Sequence, residues 1–162
     1  MDRFRRALAV PIVGLILWSM LGCMTADSGQ PAPRVRFHLE NAHATSRGGI
    51  VPIQMPVSGI EVVVNRLPVL MEEDLVNVEL VEVELGQCLL FEFSRVGSRA
   101  LYEVTATKQG NRLLLMVDGV PVGLRVIDGP VATGQWLTFT ELTPETEADL
   151  VVRLREHLYA RR

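Results

Sequence analysis

The chain has 162 residues, 16 basic and 19 acidic side chains, 48% apolar residues and two cysteines, which is room for one modest domain and excludes disorder throughout. Fifteen of the bases are Arg, none gathered into a long run, and the formal charge is −3, which argues against a nucleic-acid-binding surface. Two cysteines and three scattered histidines exclude a disulfide-dense scaffold and supply no metal-ligand spacing, so neither a structural metal nor a cofactor is expected.

Arg3, Arg5 and Arg6 precede an uncharged apolar stretch from Ala7 to Leu21, after which come Gly22 and Cys23. This is the layout of an export signal. The stretch is shorter than the roughly 20 residues of a bilayer-spanning helix, and Pro11 and Gly14 weaken it further. Met20-Leu21-Gly22-Cys23 resembles a bacterial lipobox, whose usual first residue is Leu. The resemblance implies a signal peptide over 1–22, removed once the Cys23 thiol has taken a diacylglycerol group. The mature chain then begins at a cysteine carrying palmitate-type acyl chains, which anchor it at about 0.8 kcal/mol per buried methylene. The alternatives are an ordinary cleaved signal with a chance cysteine, or an uncleaved short anchor. Met24, where Asp resembles a mark of inner-membrane retention, favours the periplasmic face of the outer membrane in a two-membrane organism. The mature 140 residues hold 13 bases and 18 acids. Such an acidic domain is not expected to seek anionic headgroups, so the membrane is reached through the lipid on Cys23.

Residues 23–34 combine the lipidated cysteine with a Pro-containing polar tether, and a single domain follows over 35–162. Val35, Phe37 and Leu39 alternate with Arg36, His38 and Glu40, predicting a half-buried strand. A polar loop spans 41–49, and the prolines in 50–56 allow only an edge strand. Ile60 to Val64 make another strand. Glu72-Glu73-Asp74 open a helical turn, and Val76 to Leu85 form a long strand with a bulge after Leu80. Gly86-Gln87 turns the chain into a hairpin partner, Leu89 to Phe93. A helix is predicted between Gly97 and Gly110. Arg112 to Asp118 reads as a central strand ending in the hairpin turn Asp118-Gly119, with Val120 to Ile127 returning and Gln135 to Thr140 last. The final helix has Thr143 as N-cap, Pro144 at its first position, acids early and arginines late, with Leu150, Leu154 and Leu158 on one stripe.

Glu72-Glu73-Asp74-Leu75, Leu90-Phe91-Glu92-Phe93, Leu101 to Thr105, Leu114 to Gly119, Gly134, and Thr143 with Ala148, Leu150 and Leu154 together resemble the head subdomain of the first periplasmic region of SecD, the protein-export accessory factor. The resemblance spans 68–158 and implies an α+β fold, a mixed or antiparallel sheet with two helices packed on one face. It departs from the SecD pattern at Leu124-Arg125, where Ala-Pro is usual, and at Glu141, where Gly is usual. SecD's intramembrane helices are absent from the sequence, so motor activity is not implied. A non-catalytic module engaging a protein or peptide partner in the envelope is.

The residues themselves offer little chemistry. The consecutive acids Glu72-Glu73-Asp74 lack the alternate spacing of a calcium loop, and Glu79, Glu82 and Glu84 read as a wet sheet face. His38, His43 and His157 accompany no catalytic motif. Ser46-Arg47-Gly48-Gly49 lacks a following helix to cradle an anion. Cys88 is read as a buried small hydrophobe and Trp136 as a core anchor, so no catalytic residue is assigned. Unpaired strand edges are the one general binding device. An envelope hydrolase would need a cleft gathering His or carboxylates, and a passive structural subunit would show a broad apolar patch.

Overall fold

The structure, a computed structural model, describes residues 31–41 and 49–161. The expected export signal over 1–22, Cys23, most of the expected tether, His43 and Ser46-Arg47-Gly48 lie outside those residues. The elements are β1 (Val35–Leu39), β2 (Ile50–Gln54), β3 (Glu61–Asn65), β4 (Leu70–Met71), a 3-10 turn (Glu72–Asp74), β5 (Leu75–Val83), β6 (Gly86–Phe93), α1 (Arg95–Thr107), β7 (Arg112–Val117), β8 (Val120–Val126), β9 (Gln135–Thr138) and α2 (Pro144–Ala160). The strands form a four-stranded sheet ordered β4-β1-β7-β8, a β2–β3 hairpin and a three-stranded sheet β5-β6-β9. Every pairing is antiparallel. Single bridges, Glu40 to Val64 and Gly123 to Thr140, connect β1 to β3 and β8 to the end of β9.

The continuous apolar run of β7 follows from where that strand lies. Leu113, Leu115 and Val117 enter the main core, with Phe37 of β1, Phe91 of β6, Trp136 of β9, Leu101 of α1 and Leu150, Leu154 and Leu158 of α2. Leu114, on the opposite face, enters a second, smaller core with Met55, Val62 and Val64 from the β2–β3 hairpin, and Met116 and Leu124 pack against it. A strand buried on both faces has no polar face to alternate with. Both helices thus pack on one side of the four-stranded sheet, and the hairpin covers part of the other.

Local chemistry sets most boundaries as the sequence suggests. Asp118 and Gly119 have φ of 52° and 85°, the conformation a two-residue hairpin turn demands. Thr143 caps α2 by accepting from the Thr146 N–H, with Pro144 in the first turn, and Ser94 caps α1 by accepting from Gly97. That cap starts α1 at Arg95, two residues earlier than expected.

Three expectations need correction. The β5–β6 turn is Glu84-Leu85, and Gly86 opens β6. The bulge falls between Leu75 and Asn77, and beyond it β5 and β6 pair in register through Leu80 and Val81. The apolar doublet at 80–81 arises because Leu80 packs on the main core while Val81 pairs with Cys88. His38, expected on a wet face, is buried because the hairpin lies over it.

Gly123 permits the closest approach between sheets: a Cβ there would stand 2.7 Å from both the Phe139 carbonyl oxygen and Thr138 Cγ2. A side chain at this position forces β8 and β9 apart. Gly123→Val is expected to lower stability by about 1–3 kcal/mol, read as a fall in the urea midpoint. An unchanged midpoint would contradict the close packing.

Arg112 begins β7 with its Nε and backbone N–H each 2.9 Å from Glu40 Oε2, and its second guanidinium nitrogen on Oε1. The hydrogen bond from the Arg112 side chain holds the Glu40 carboxyl below its ordinary value of 4.5. A carboxyl with a depressed folded value contributes stability that is present above the unfolded value and lost as pH falls through the folded one. Glu40→Gln is therefore expected to flatten the stability profile below about pH 4.5 and to cost about 1–3 kcal/mol at neutral pH, measured by urea denaturation at a series of pH values.

Candidate functional site

The hairpin covers only part of the second face of the four-stranded sheet, and a groove of about 570 Å³ remains beside it. Its apolar floor comes from Val51 and Ile53 of β2, Val64 of β3 and Met116 of β7, and its basic side groups are Arg34, Arg36 and Arg66. Strand alternation places them there: Phe37 points into the main core, edge-on to Phe91 and Phe93, so Arg36 and His38 take the other face. Arg66 arrives because β3 returns antiparallel to β2 and ends beside β1.

The groove contains one histidine and one carboxylate. His38 Nδ1 lies 2.9 Å from the Asn65 carbonyl oxygen; a carbonyl only accepts, so Nδ1 donates. Asp118 Oδ1 accepts from the Arg34 backbone N–H at 2.9 Å. Among the described residues the lining supplies no hydroxyl, thiol or amine beside His38. The groove offers shape, apolar contact and positive charge.

A second feature is the outer edge of the three-stranded sheet. β5 pairs only with β6, and no other backbone bond is made by Asn77–Val83 among the described residues. Val83 and the turn residue Leu85 are exposed at its end. By contrast Pro52 removes a donor from the edge strand β2, and β8, the edge of the four-stranded sheet, is bridged to Thr140 at Gly123.

The remaining candidates disperse. Asp74 Oδ2 accepts from the Met71 N–H at 3.0 Å, so Glu72-Glu73-Asp74 form a capped turn. Glu79 and Glu92 both accept from the Asn77 amide, while Glu82 and Glu84 are exposed. His157 lies half-buried on α2, on a different element from His38. No group of three or more His, Cys, Asp or Glu converges among the described residues. Cys88 is fully buried, and burial, then the Glu147 carboxylate, push its thiol up, leaving it a poor nucleophile. Trp136 is a core residue, 1% exposed, with the Arg125 guanidinium 4.7 Å from its ring centre. Glu147, one of the early acids of α2, is buried and accepts from the Thr140 hydroxyl.

Comparison with solved structures shows where this architecture recurs. SecDF in its super-membrane-facing form superposes with a TM-score of 0.58 at 21% identity, over 78% of this chain and 19% of that one. A second SecDF structure, of a membrane component that enhances protein export, gives 0.57 at 20% identity, over 84% of this chain and 70% of that one. The fold is SecD-head-like. The SecD-like order of elements, from the acidic turn through Asp118-Gly119 to the Thr143-capped helix, is the one the motifs implied. No family model and no curated protein matches the sequence. No helix among the described residues is long and apolar enough to cross a membrane.

The sequence did not mark the groove arginines as a group. Arg34 and Arg36 stand some 30 positions from Arg66, and only the return of β3 brings them together. The available signal was Arg36 on the polar side of β1 in a stretch with few neighbouring acids.

Proposed function

We propose that this chain is a lipid-anchored envelope module that binds an extended polypeptide and performs no catalysis. The observation carrying this reading is the edge of β5, a strand that α2 packs against and whose backbone groups from Asn77 to Val83, paired with no second strand among the described residues, can accept an added one. The SecD-like fold supports it, since one of the SecDF proteins sharing that fold enhances protein export. In this reading Cys23 carries the lipid, residues 24–34 span the headgroup layer, and the domain works at the periplasmic face of the outer membrane where two membranes exist.

A photocrosslinking residue placed at Val83, beside the edge, tests the assignment against one at Val152 on α2, which is more exposed than Val83. In native envelopes the Val83 probe is expected to form adducts with polypeptide chains and the Val152 probe none. Equal labelling from both positions, or turnover of a small substrate by the purified protein, would remove the reading.

A further inference from the structure

Arg34, Arg36 and Arg66 line one groove and form no ion pair among the described residues; Arg95, Arg155 and Arg161 form none either, but they do not line it. One aliphatic side chain follows them in the open: Leu67, next after Arg66, is 66% exposed. The chain also leaves the fold here, because Pro31 and Ala32 line the same groove. Cys23 is eight residues before Pro31, a reach of about 28 Å at full extension.

We propose that the mouth of this groove docks on anionic phospholipid headgroups, with Arg34, Arg36 and Arg66 on the phosphates and Leu67 entering the interfacial layer. This inference rests on the lipid anchor at Cys23. The net negative charge of the mature chain does not oppose it, because exposed charges farther than about 8 Å are largely screened at physiological salt. Three arginines and one aliphatic side chain bind a membrane weakly by themselves. The acyl anchor makes that contact intramolecular and keeps the patch at high effective concentration beside the headgroups. Docking also orients the domain. The groove and the β5-β6-β9 sheet lie on opposite faces of the four-stranded sheet, as Arg36 and Phe37 on successive positions of β1 show, so the β5 edge is presented away from the bilayer.

The test uses the full acylated protein with Leu67→Cys carrying an environment-sensitive fluorophore, the remaining thiol, Cys88, being buried. The protein is reconstituted in phosphatidylcholine vesicles with and without phosphatidylglycerol, each holding a lipid-borne quencher. Quenching is expected to rise by about threefold or more with phosphatidylglycerol, to fall back at high salt, to disappear in Arg34→Glu/Arg36→Glu/Arg66→Glu, and to survive in the matching Lys variant. Equal quenching in both vesicle types, with the protein floating on each, would overturn the docking while leaving the anchor standing. Failure to float on neutral vesicles, together with an unmodified mass at Cys23, would overturn the anchor and the docking with it. A fluorophore that ignores phosphatidylglycerol and responds to an acidic, apolar peptide would assign the groove to a polypeptide and overturn the proposal.

Discussion

Phe37→Ala is expected to be the most damaging single truncation in the domain. Phe37 is fully buried and meets Phe91 at 5.1 Å and Phe93 at 5.6 Å between ring centres, both edge-to-face. It is one of the contacts through which the four-stranded sheet packs on the three-stranded one. Its removal costs the transfer of a large ring, the cavity left behind, and two aromatic contacts of about 0.5–1.5 kcal/mol each. Neighbouring strands are held by their own ladders and cannot collapse into the void, so the loss belongs near the upper end of the usual 3–5 kcal/mol. With domain stabilities of about 5–15 kcal/mol, that is a large fraction of the total. The melting temperature should fall by about 10 °C or more, and Phe37→Leu should recover a good part of the difference. A loss under about 1 kcal/mol in urea titrations would mean that the two sheets do not depend on this joint.

The elements carried by local chemistry were readable in the sequence. Asp118-Gly119, Thr143 with Pro144, and the Leu150, Leu154 and Leu158 stripe each state their conformation within a few residues. β7 was readable as central because six consecutive positions are almost all apolar, although only the structure shows that two separate cores make them so. Features decided by a distant partner were not readable. The doublet Leu80-Val81 looks the same whether a strand bulges or is half-covered on both faces, and the pairing with β6 settles it. His38 alternates with apolar residues as an outward residue should, yet the hairpin formed 12 residues later covers it. The groove belongs to the same class, since its arginines come from β1 and from the end of β3 and become neighbours only through the antiparallel return of that hairpin.

Cys23→Ser is expected to move most of the protein from washed membranes into the soluble fraction. Acyl chains contribute about 0.8 kcal/mol per buried methylene, and while one chain binds reversibly, two or three hold a domain for as long as the membrane lasts. A serine has no thiol to take the first lipid, and no described helix can substitute for the lost anchor. The arginine groove sharpens the expectation. Left with Arg34, Arg36 and Arg66 alone, the variant should retain a minor membrane-bound fraction that high salt releases, because phosphate contacts are screened while buried acyl chains are not. The natural protein should resist the same wash. Two other results point elsewhere. A variant that stays bound through salt and alkaline washes with residues 1–22 still attached identifies the apolar stretch from Ala7 to Leu21 as an uncleaved anchor. A natural protein that washes off as readily as the variant, with an unmodified cysteine by mass, identifies an ordinary cleaved signal. Fractionation combined with the mass of the N-terminal peptide therefore separates the three readings, and the ordinary cleaved signal is the one that leaves the β5 edge with no permanent place at a membrane.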